Sequence, residues 1–278
     1  MKKRTNMIRL VACLALLLSS ATLVVAQQAA VKIFAHRGGK LEYDENTMQA
    51  FRQVYEKGLR GYEIDIRITK DNHLVVFHDA DFKRVLGIEG SVETSTLNEI
   101  KALRTKKGNP IPTADEVIEF FNSKSGLYVE FEMKTKSPLY EPELLERYCD
   151  MLYQKVYANM PEGSEYLMTS FDTRPLKYLG DKYPQVEMLL IRGEGLSENV
   201  LEEAKKLGIT RLGCSVHGTN KKMVDKAKKE GFTVSLWPGH SVEDFLLGVA
   251  LGSDYLCTDV PVAVTDWVNE HGSWITLK

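Results

Sequence analysis

Short apolar segments that alternate with helical patterns are the feature of this sequence that most restricts its fold. Eight segments have the β-branched and aromatic composition of strands, and amphipathic helical patterns such as "PELLERYCDMLYQKVY" lie between most of them. The eight segments are residues 31–35, 61–68, 127–133, 165–170, 186–191, 209–215, 232–237 and 254–258. Because strands that alternate with helices form parallel sheets with crossover helices, the pattern predicts an α/β protein, a (β/α)8 TIM barrel. An open doubly wound sheet is the alternative, but no GxGxxG turn follows the first strand.

One segment interrupts the alternation. Residues 79–112 contain no strand–helix unit, and a helical pattern resumes near Thr113. We interpret this segment as a small insertion after the second strand, at one end of the barrel. The barrel domain is predicted to span residues 31–278.

The first 26 residues have the pattern of a secretory signal peptide. Four basic residues precede or flank the start of an apolar run at 10–18, and small residues at 24–26 precede the expected cleavage point. The run is shorter than the roughly 20 apolar residues of a membrane-spanning helix, so we expect no stable membrane anchor and a secreted or periplasmic protein. The segment ending at Cys13 resembles a lipoprotein box, but the apolar run follows this cysteine instead of preceding it.

Charge and cysteine content argue against two classes of protein. The chain has 36 basic and 38 acidic residues, and residues 1–26 contain four of the basic ones and none of the acidic ones, which leaves 32 and 38. Nucleic-acid-binding domains normally carry a basic excess, so no nucleic-acid partner is expected. The remaining cysteines, Cys149, Cys214 and Cys257, suit neither a disulfide framework nor a metal site and are predicted to be buried thiols.

Two predicted strands carry several carboxylates on one face. Because side chains alternate along a strand, Glu63 and Asp65 share a face, and Glu130, Glu132 and Lys134 share a face in the next barrel strand. Buried carboxylates need cationic partners or a metal, and an oxygen-rich site suits Mg²⁺ or Ca²⁺. The pattern alone leaves two possibilities open: a metal site, or a structural network of carboxylates with lysine and arginine.

Two histidines stand where extended segments end. His36 ends the first strand, and His78 ends "LVVFHD". The carboxyl ends of barrel strands carry the active site, and two histidines beside carboxylates suit acid–base catalysis better than a structural role. Arg37 can bind a phosphate through its planar guanidinium, and Gly38-Gly39 allow a sharp turn and a close approach to a ligand.

The ordered motifs resemble those of the glycerophosphodiester phosphodiesterase family. "HRG" at 36–38, "ENT" at 45–47 and "EIDIRITKDNHLVVFHD" at 63–79 are similar to the family's HRG, PENT, ExD, TKDG-type and HD motifs. "IPTADEVIEF", "EFEMK", "TSFD" and "CTDVP" continue the resemblance in the family's order. It covers about residues 33–261, almost the whole mature chain.

The resemblance implies a role for each motif residue. It implies that Glu63, Asp65 and Glu132 hold a divalent metal, Ca²⁺ or Mg²⁺, and that His36 and His78 are the acid–base pair. The residues implied to bind substrate, with Glu45 in a supporting role, are Arg37, Lys134, Glu45, Ser170 and Trp237. The other residues implied to line the pocket are Phe171 and Asp259. Ser170 could instead cap the following helix, and Trp237 could pack in the core.

Three positions depart from the family pattern. Asp44 replaces the proline before ENT, which we interpret as a minor loop change. Glu130 stands where asparagine is common, and it could tighten cation binding, be protonated, or pair with a lysine. His240 also stands where asparagine is usual. Because that end of the pocket often contacts the substrate in the family, the substrate preference is the property that the resemblance defines least.

The expected activity is metal-dependent hydrolysis of glycerophosphodiesters to glycerol 3-phosphate and an alcohol, with a small-molecule substrate as the partner. The resemblance suggests that the glycerol 2-hydroxyl attacks first. A phospholipase D-like enzyme acting on lysophospholipids is one alternative, and it would require an apolar channel beside the site. A secreted protein that binds phosphodiesters without turnover is the other, and the intact histidines and carboxylates disfavour it.

Overall fold

The computed structural model describes residues 28–278. The predicted signal peptide therefore lies outside the described residues. Ten strands occur in the described range: β1 (Ala29–His36), β2 (Gly61–Ile68), β3 (Leu74–Val76), β4 (Tyr128–Met133), β5 (Glu165–Ser170), β6 (Met188–Gly195), β7 (Arg211–Ser215), β8 (Thr233–Gly239), β9 (Tyr255–Thr258) and β10 (Ile275–Leu277).

Eight of these strands form a closed parallel barrel. They pair in the order β1-β2-β4-β5-β6-β7-β8-β9, and β9 pairs with β1 to close the ring. The predicted (β/α)8 barrel is confirmed, and its eight strands are those predicted from the sequence. The other two lie outside the ring, because β3 pairs antiparallel with the end of β2 and β10 pairs with the start of β1.

Ten helices occur within residues 28–278. They are α1 (Met48–Glu56), α2 (Lys83–Leu86), α3 (Leu97–Ala102), α4 (Ala114–Asn122), α5 (Pro142–Tyr157), α6 (Thr173–Lys182), α7 (Glu198–Leu207), α8 (Lys221–Lys229), α9 (Val242–Leu251) and α10 (Pro261–His271). None of these helices has the length and apolar character needed to cross a membrane.

Local sequence signals define several helix ends. Thr113 accepts a hydrogen bond from the Glu116 backbone N–H while the Glu116 side chain accepts one from Thr113, which is a capping box at the start of α4. Gly208 and Gly252 end α7 and α9 in the left-handed conformation, where a side chain would be strained. These signals explain why the alternating helices begin and end where the barrel needs them.

The core has two parts because strand side chains alternate. Outward-facing residues of the strands, such as Ile64 and Ile66, pack under the helices in one large cluster. A smaller apolar cluster fills the barrel interior and consists of Phe34, Tyr128, Leu167, Leu189, Ile191 and Cys257. All three cysteines in the described range are buried and free, as predicted.

The segment at 79–112 adds no strand to the barrel. It contains α2 and α3 and forms a small core with β3, in which Phe82 and Ile100 are buried. Asp44 ties this segment to the loop after β1, since its carboxylate accepts hydrogen bonds from Thr105 Oγ1 at 2.5 Å and Asn109 Nδ2 at 2.8 Å. The replacement of proline by Asp44 therefore joins two parts of the fold and is more than a minor loop change.

Candidate active site

Three carboxylates meet at the carboxyl end of two neighbouring strands. β2 and β4 pair so that Asp65 lies opposite Glu132, with Glu63 two residues earlier on the same face. One oxygen from each of these side chains lies within 4.8 Å of the others, and all three residues are buried. The structure thus brings together the three predicted metal ligands.

The cluster has the donors that a hard divalent cation requires. Glu63 Oε1 and Asp65 Oδ1 are buried and have no hydrogen-bond partner among the described residues. Other oxygens are already occupied: Asn46 Nδ2 donates to Asp65 Oδ2 at 2.7 Å, and the Arg37 backbone N–H donates to Glu63 Oε2 at 2.9 Å. Because unsatisfied carboxylate oxygens are costly when buried, these residues fit a divalent cation and could hold one.

The pKa values in the cluster are displaced in opposite directions. Burial, followed by repulsion from Asp65 and Glu132, raises the pKa of Glu63 well above its usual range. Burial also acts to raise the pKa of Asp65, but His78, Lys134 and Arg37 outweigh it and hold that pKa far below its usual range. A bound cation would relieve the repulsion between these carboxylates.

His36 is held by a buried carboxylate on the far side of its ring. Its Nδ1 lies 2.5 Å from Asp259 Oδ1, while its Nε2 lies 3.9 Å from Glu63 Oε2. Burial lowers the pKa of His36 to about 4, although the contact with Asp259 opposes this shift. The ring is therefore neutral near pH 7, with its proton on Nδ1 toward Asp259 and the lone pair of Nε2 turned to the carboxylate cluster.

The turn after His36 explains the glycines of the first motif. Arg37, Gly38 and Gly39 all have positive φ, at 52°, 77° and 85°. A Cβ on Gly38 would lie 3.0 Å from Ala50 Cβ, so the turn rests directly on α1. Only glycine adopts this conformation at no steric cost while the backbone packs so closely.

His78 is held by a chain of charged residues from the insertion. Its Nδ1 lies 2.6 Å from Asp79 Oδ1, and Arg84 donates from Nε to Asp79 Oδ2 at 2.7 Å. Arg84 also binds both oxygens of Glu45, which in turn accepts from Arg37 Nη1 at 3.2 Å. The insertion therefore fixes His78 and Arg37 together.

Arg37 and Lys134, which are predicted to bind the substrate phosphate, lie beside the carboxylate cluster. Lys134 Nζ lies 2.6 Å from Glu132 Oε1 and 3.4 Å from Asp65 Oδ1. Arg37 Nε lies 3.5 Å from Asp65 Oδ2. Carboxylates therefore pair with lysine and arginine here, so the structural network left open by the sequence is present in the same place as the possible metal site.

A catalytic cavity, defined here by His36, Arg37, Glu63, His78, Glu132 and the apolar residues opposite them, opens at this end of the barrel. Phe171 and Trp237 supply part of its apolar wall, with ring centroids 5.4 Å apart. The indole Nε1 of Trp237 is buried and has no partner within the described part of the chain. The cavity thus offers both charged and apolar surface to a ligand.

Comparison with known proteins identifies the family. The model of the glycerophosphoryl diester phosphodiesterase family matches residues 36–263. A glycerophosphodiester phosphodiesterase from Caldanaerobacter subterraneus subsp. tengcongensis is 31% identical over 247 residues, which are 86% of this chain and 98% of the relative. The chain belongs to the glycerophosphoryl diester phosphodiesterase family. As a member of this family, it is a phosphodiesterase.

Solved structures of phosphodiesterases share the fold. A phosphodiesterase from Oleispira antarctica, in complex with the product sn-glycerol-3-phosphate, has a TM-score of 0.77 at 21% identity, with 86% of this chain and 96% of that chain covered. A glycerophosphodiester phosphodiesterase from Parabacteroides distasonis has a TM-score of 0.71 at 24% identity, with 89% and 100% covered. At these identities the two structures support the barrel architecture.

Three residues predicted to bind substrate in this phosphodiesterase lie outside the lining of the catalytic cavity: Lys134, Ser170 and Glu45. Lys134 instead lines a neighbouring space that shares Glu132 with the cavity. Ser170 Oγ donates to the Met133 carbonyl at 2.9 Å and accepts from the Asp172 N–H at 3.0 Å, so its proton is already used by the backbone. Both oxygens of Glu45 accept hydrogen bonds from arginine, and its supporting role stays a prediction.

Glu130 stands two residues before Glu132 on β4 and also lines the cavity. It accepts a hydrogen bond from the Tyr128 hydroxyl at 2.5 Å. Burial raises the pKa of Glu130 to about 8, against the opposing effect of the Tyr128 hydrogen bond. Of the three possibilities left by the sequence, the structure favours a protonated Glu130 near pH 7.

Sequence reasoning missed the partners of the site residues. Asp259, expected only to line the pocket, is fully buried and contacts His36, His240 and Lys40. Asn46 supports Asp65, and the ENT motif could have indicated it. Arg84 gave no recognisable signal, because it lies in the insertion.

Proposed function

We propose that this phosphodiesterase hydrolyses glycerophosphodiesters to glycerol 3-phosphate and an alcohol, with a divalent metal and two histidines. The observation that carries this proposal is a cluster of three carboxylates beside two histidines at one cavity, in which Glu63 and Asp65 each keep an oxygen without a hydrogen-bond partner. Glu63, Asp65 and Glu132 would hold Ca²⁺ or Mg²⁺. When bound, the cation would neutralise phosphate charge and lower the pKa of a coordinated hydroxyl.

The burial of His36, which lowers its pKa to about 4, supports a division of roles in which His36 is the base. His36 Nε2 removes the proton from the attacking glycerol 2-hydroxyl, while Asp259 holds Nδ1–H and stabilises the imidazolium that forms. The new O–P bond forms as the bond from phosphorus to the head-group oxygen breaks, and His78 Nε2 gives that oxygen its proton. Arg37 and Lys134 hold the phosphate oxygens. Water then opens the cyclic phosphate with the same groups in reversed roles.

Calorimetric titration with Ca²⁺ and with Mg²⁺ tests the metal assignment. Glu63→Gln, Asp65→Asn and Glu132→Gln should each weaken binding by about tenfold or more, because each removes a charged oxygen donor. Glu165→Gln is the matched control, since Glu165 lies at the other end of the barrel with Lys32. Unchanged affinity in all three variants would remove the metal assignment.

Substitution of the histidines tests their roles. His36→Ala and His78→Ala should each lower kcat by about 10²- to 10⁴-fold with folding preserved, because general acid–base groups contribute in that range. His73→Ala should be nearly neutral, since His73 is exposed beside Asp71. If His36→Ala kept most of the wild-type rate, the acid–base scheme would be wrong.

We also propose that the enzyme acts after export, on the basis of the signal-peptide pattern at 1–26. N-terminal sequencing of the exported protein should show a chain that begins near Gln27. Exported protein that retains Met1 would contradict this proposal.

A further inference from the structure

A second cleft opens beside the catalytic cavity. It shares Glu132 and Phe171 with that cavity, and the segment 133–137, which begins at the last residue of β4, forms one of its walls. We call this space the head-group cleft. Because the two spaces share a wall, a ligand bound by the carboxylates and Lys134 could extend into the head-group cleft without crossing the barrel.

Most charged groups that line the head-group cleft are already neutralised. Arg67 pairs with Glu93 at 2.6 Å, and Asp172 pairs with Arg174 at 2.7 Å. Lys134 pairs with Asp65 and Glu132 of the carboxylate cluster, as described above. Within residues 28–278, Lys136 is exposed and forms no ion pair, so it gives the head-group cleft an uncompensated positive charge.

The backbone that carries Lys136 is fixed on both sides. Thr135 Oγ1 donates to Asp172 Oδ2 at 2.9 Å, and Arg174 donates to the Thr135 carbonyl at 2.8 Å. Arg174 also donates to the Tyr140 carbonyl at 3.1 Å. The segment is therefore held in place before a ligand arrives, and only the Lys136 side chain would lose freedom on binding.

Lys136 faces the ring that divides the two spaces. Its Nζ lies 5.4 Å from the Phe171 ring centroid, and Lys134 Nζ lies 5.9 Å from the same centroid. The two ammonium groups are thus separated by no more than the sum of those distances. An anion beside Lys136 would therefore border the same aromatic ring as a phosphate beside Lys134.

We propose that the head-group cleft binds the alcohol part of the substrate, and that Lys136 favours glycerophosphodiesters whose alcohol carries a carboxylate or a further phosphate. This inference rests on the proposed function. The ammonium of a choline or ethanolamine head group gains nothing from Lys136, because like charges repel. Lys136 is a specificity-determining residue that takes no part in the proton transfers.

The test compares two substrates that differ by one carboxylate, glycerophosphoserine and glycerophosphoethanolamine. Lys136→Gln should lower kcat/KM for the serine ester about fivefold and change the ethanolamine ester less than twofold, as expected for loss of one partly exposed ion pair. Lys136→Glu should lower kcat/KM for the serine ester further and should raise kcat/KM for the ethanolamine ester. Both effects should shrink as salt increases, because salt screens exposed charges.

Lys229→Glu is the control for net charge, because Lys229 is exposed at the end of α8 and is remote in the chain from the cleft segment. It should leave unchanged the ratio of kcat/KM for the serine ester to kcat/KM for the ethanolamine ester. A ratio unaffected by Lys136→Glu would overturn the proposal, and so would an equal loss for both esters. Failure of the wild-type enzyme to hydrolyse either ester would instead overturn the proposed function on which the inference rests.

Discussion

Replacement of Asp259 by asparagine should slow the reaction strongly while leaving metal binding intact. Asp259 is fully buried, and its carboxylate lies 2.5 Å from His36 Nδ1 and 3.3 Å from Lys40 Nζ. The asparagine side chain would be nearly isosteric but neutral, so the imidazolium formed when His36 accepts a proton would lose its counter-charge. A hydrogen bond to a charged group is worth about 1.5–3 kcal/mol, which corresponds to about a 10- to 150-fold fall in kcat.

The assay is steady-state turnover of glycerophosphocholine, with glycerol 3-phosphate release as the readout. KM should change by less than about threefold, because Asp259 does not contact the carboxylate cluster that would hold the metal. Asp254→Asn is the matched control, since Asp254 precedes the opposite end of β9 and pairs with Lys228. If Asp259→Asn kept more than half of the wild-type kcat, Asp259 would not stabilise the charged form of His36 during the reaction.

Three further predictions concern Glu130, His240 and the nucleophile. Glu130→Gln should raise the free energy of unfolding of the metal-free protein by up to about 5 kcal/mol at pH 8.5 and by under about 1 kcal/mol at pH 5, as measured by urea denaturation. The reason is that burial raises the pKa of Glu130 to about 8 in the folded state. The stability that the protonated side chain contributes is complete below pH 4.5 and is lost as the pH rises toward 8. Equal effects of the substitution at both pH values would contradict this prediction. His240→Asn should keep kcat within about threefold because asparagine can still donate to Asp259, whereas His240→Leu should lower kcat about three- to tenfold; equal rates would show that this donor is unimportant. A propane-1-phosphocholine analogue without the 2-hydroxyl should bind but turn over very slowly, since an aligned internal hydroxyl can have an advantage of about 7–11 kcal/mol over water; comparable turnover would indicate attack by water.

The barrel could be predicted from the sequence because its signals are local. Each barrel strand is a short apolar run bounded by turn residues, and the helices between strands repeat with a helical period. The helical pattern of α6 is weaker than the others, because Pro175 and Gly180 lie within it. β10 is not predicted, since it has three residues and pairs only with the start of β1.

The candidate site was predictable only in part for the same reason. Glu63 and Asp65 indicate a shared face by their spacing, and strand pairing then places Glu132 beside them. The contact between His36 and Asp259 spans 223 positions, so no local pattern could reveal it. Residues that support the site from distant segments become visible only when the barrel closes.

Release of glycerol 3-phosphate from glycerophosphocholine by the purified mature enzyme, with and without EDTA, tests the central claim most directly. Phosphorus NMR would follow the substrate and the product in one sample. We predict conversion in the presence of Ca²⁺ or Mg²⁺, loss of activity with EDTA, and recovery when excess metal is added. Binding of glycerophosphocholine without turnover would contradict the claim and favour a binding protein, and undiminished turnover in EDTA would contradict the role assigned to Glu63, Asp65 and Glu132.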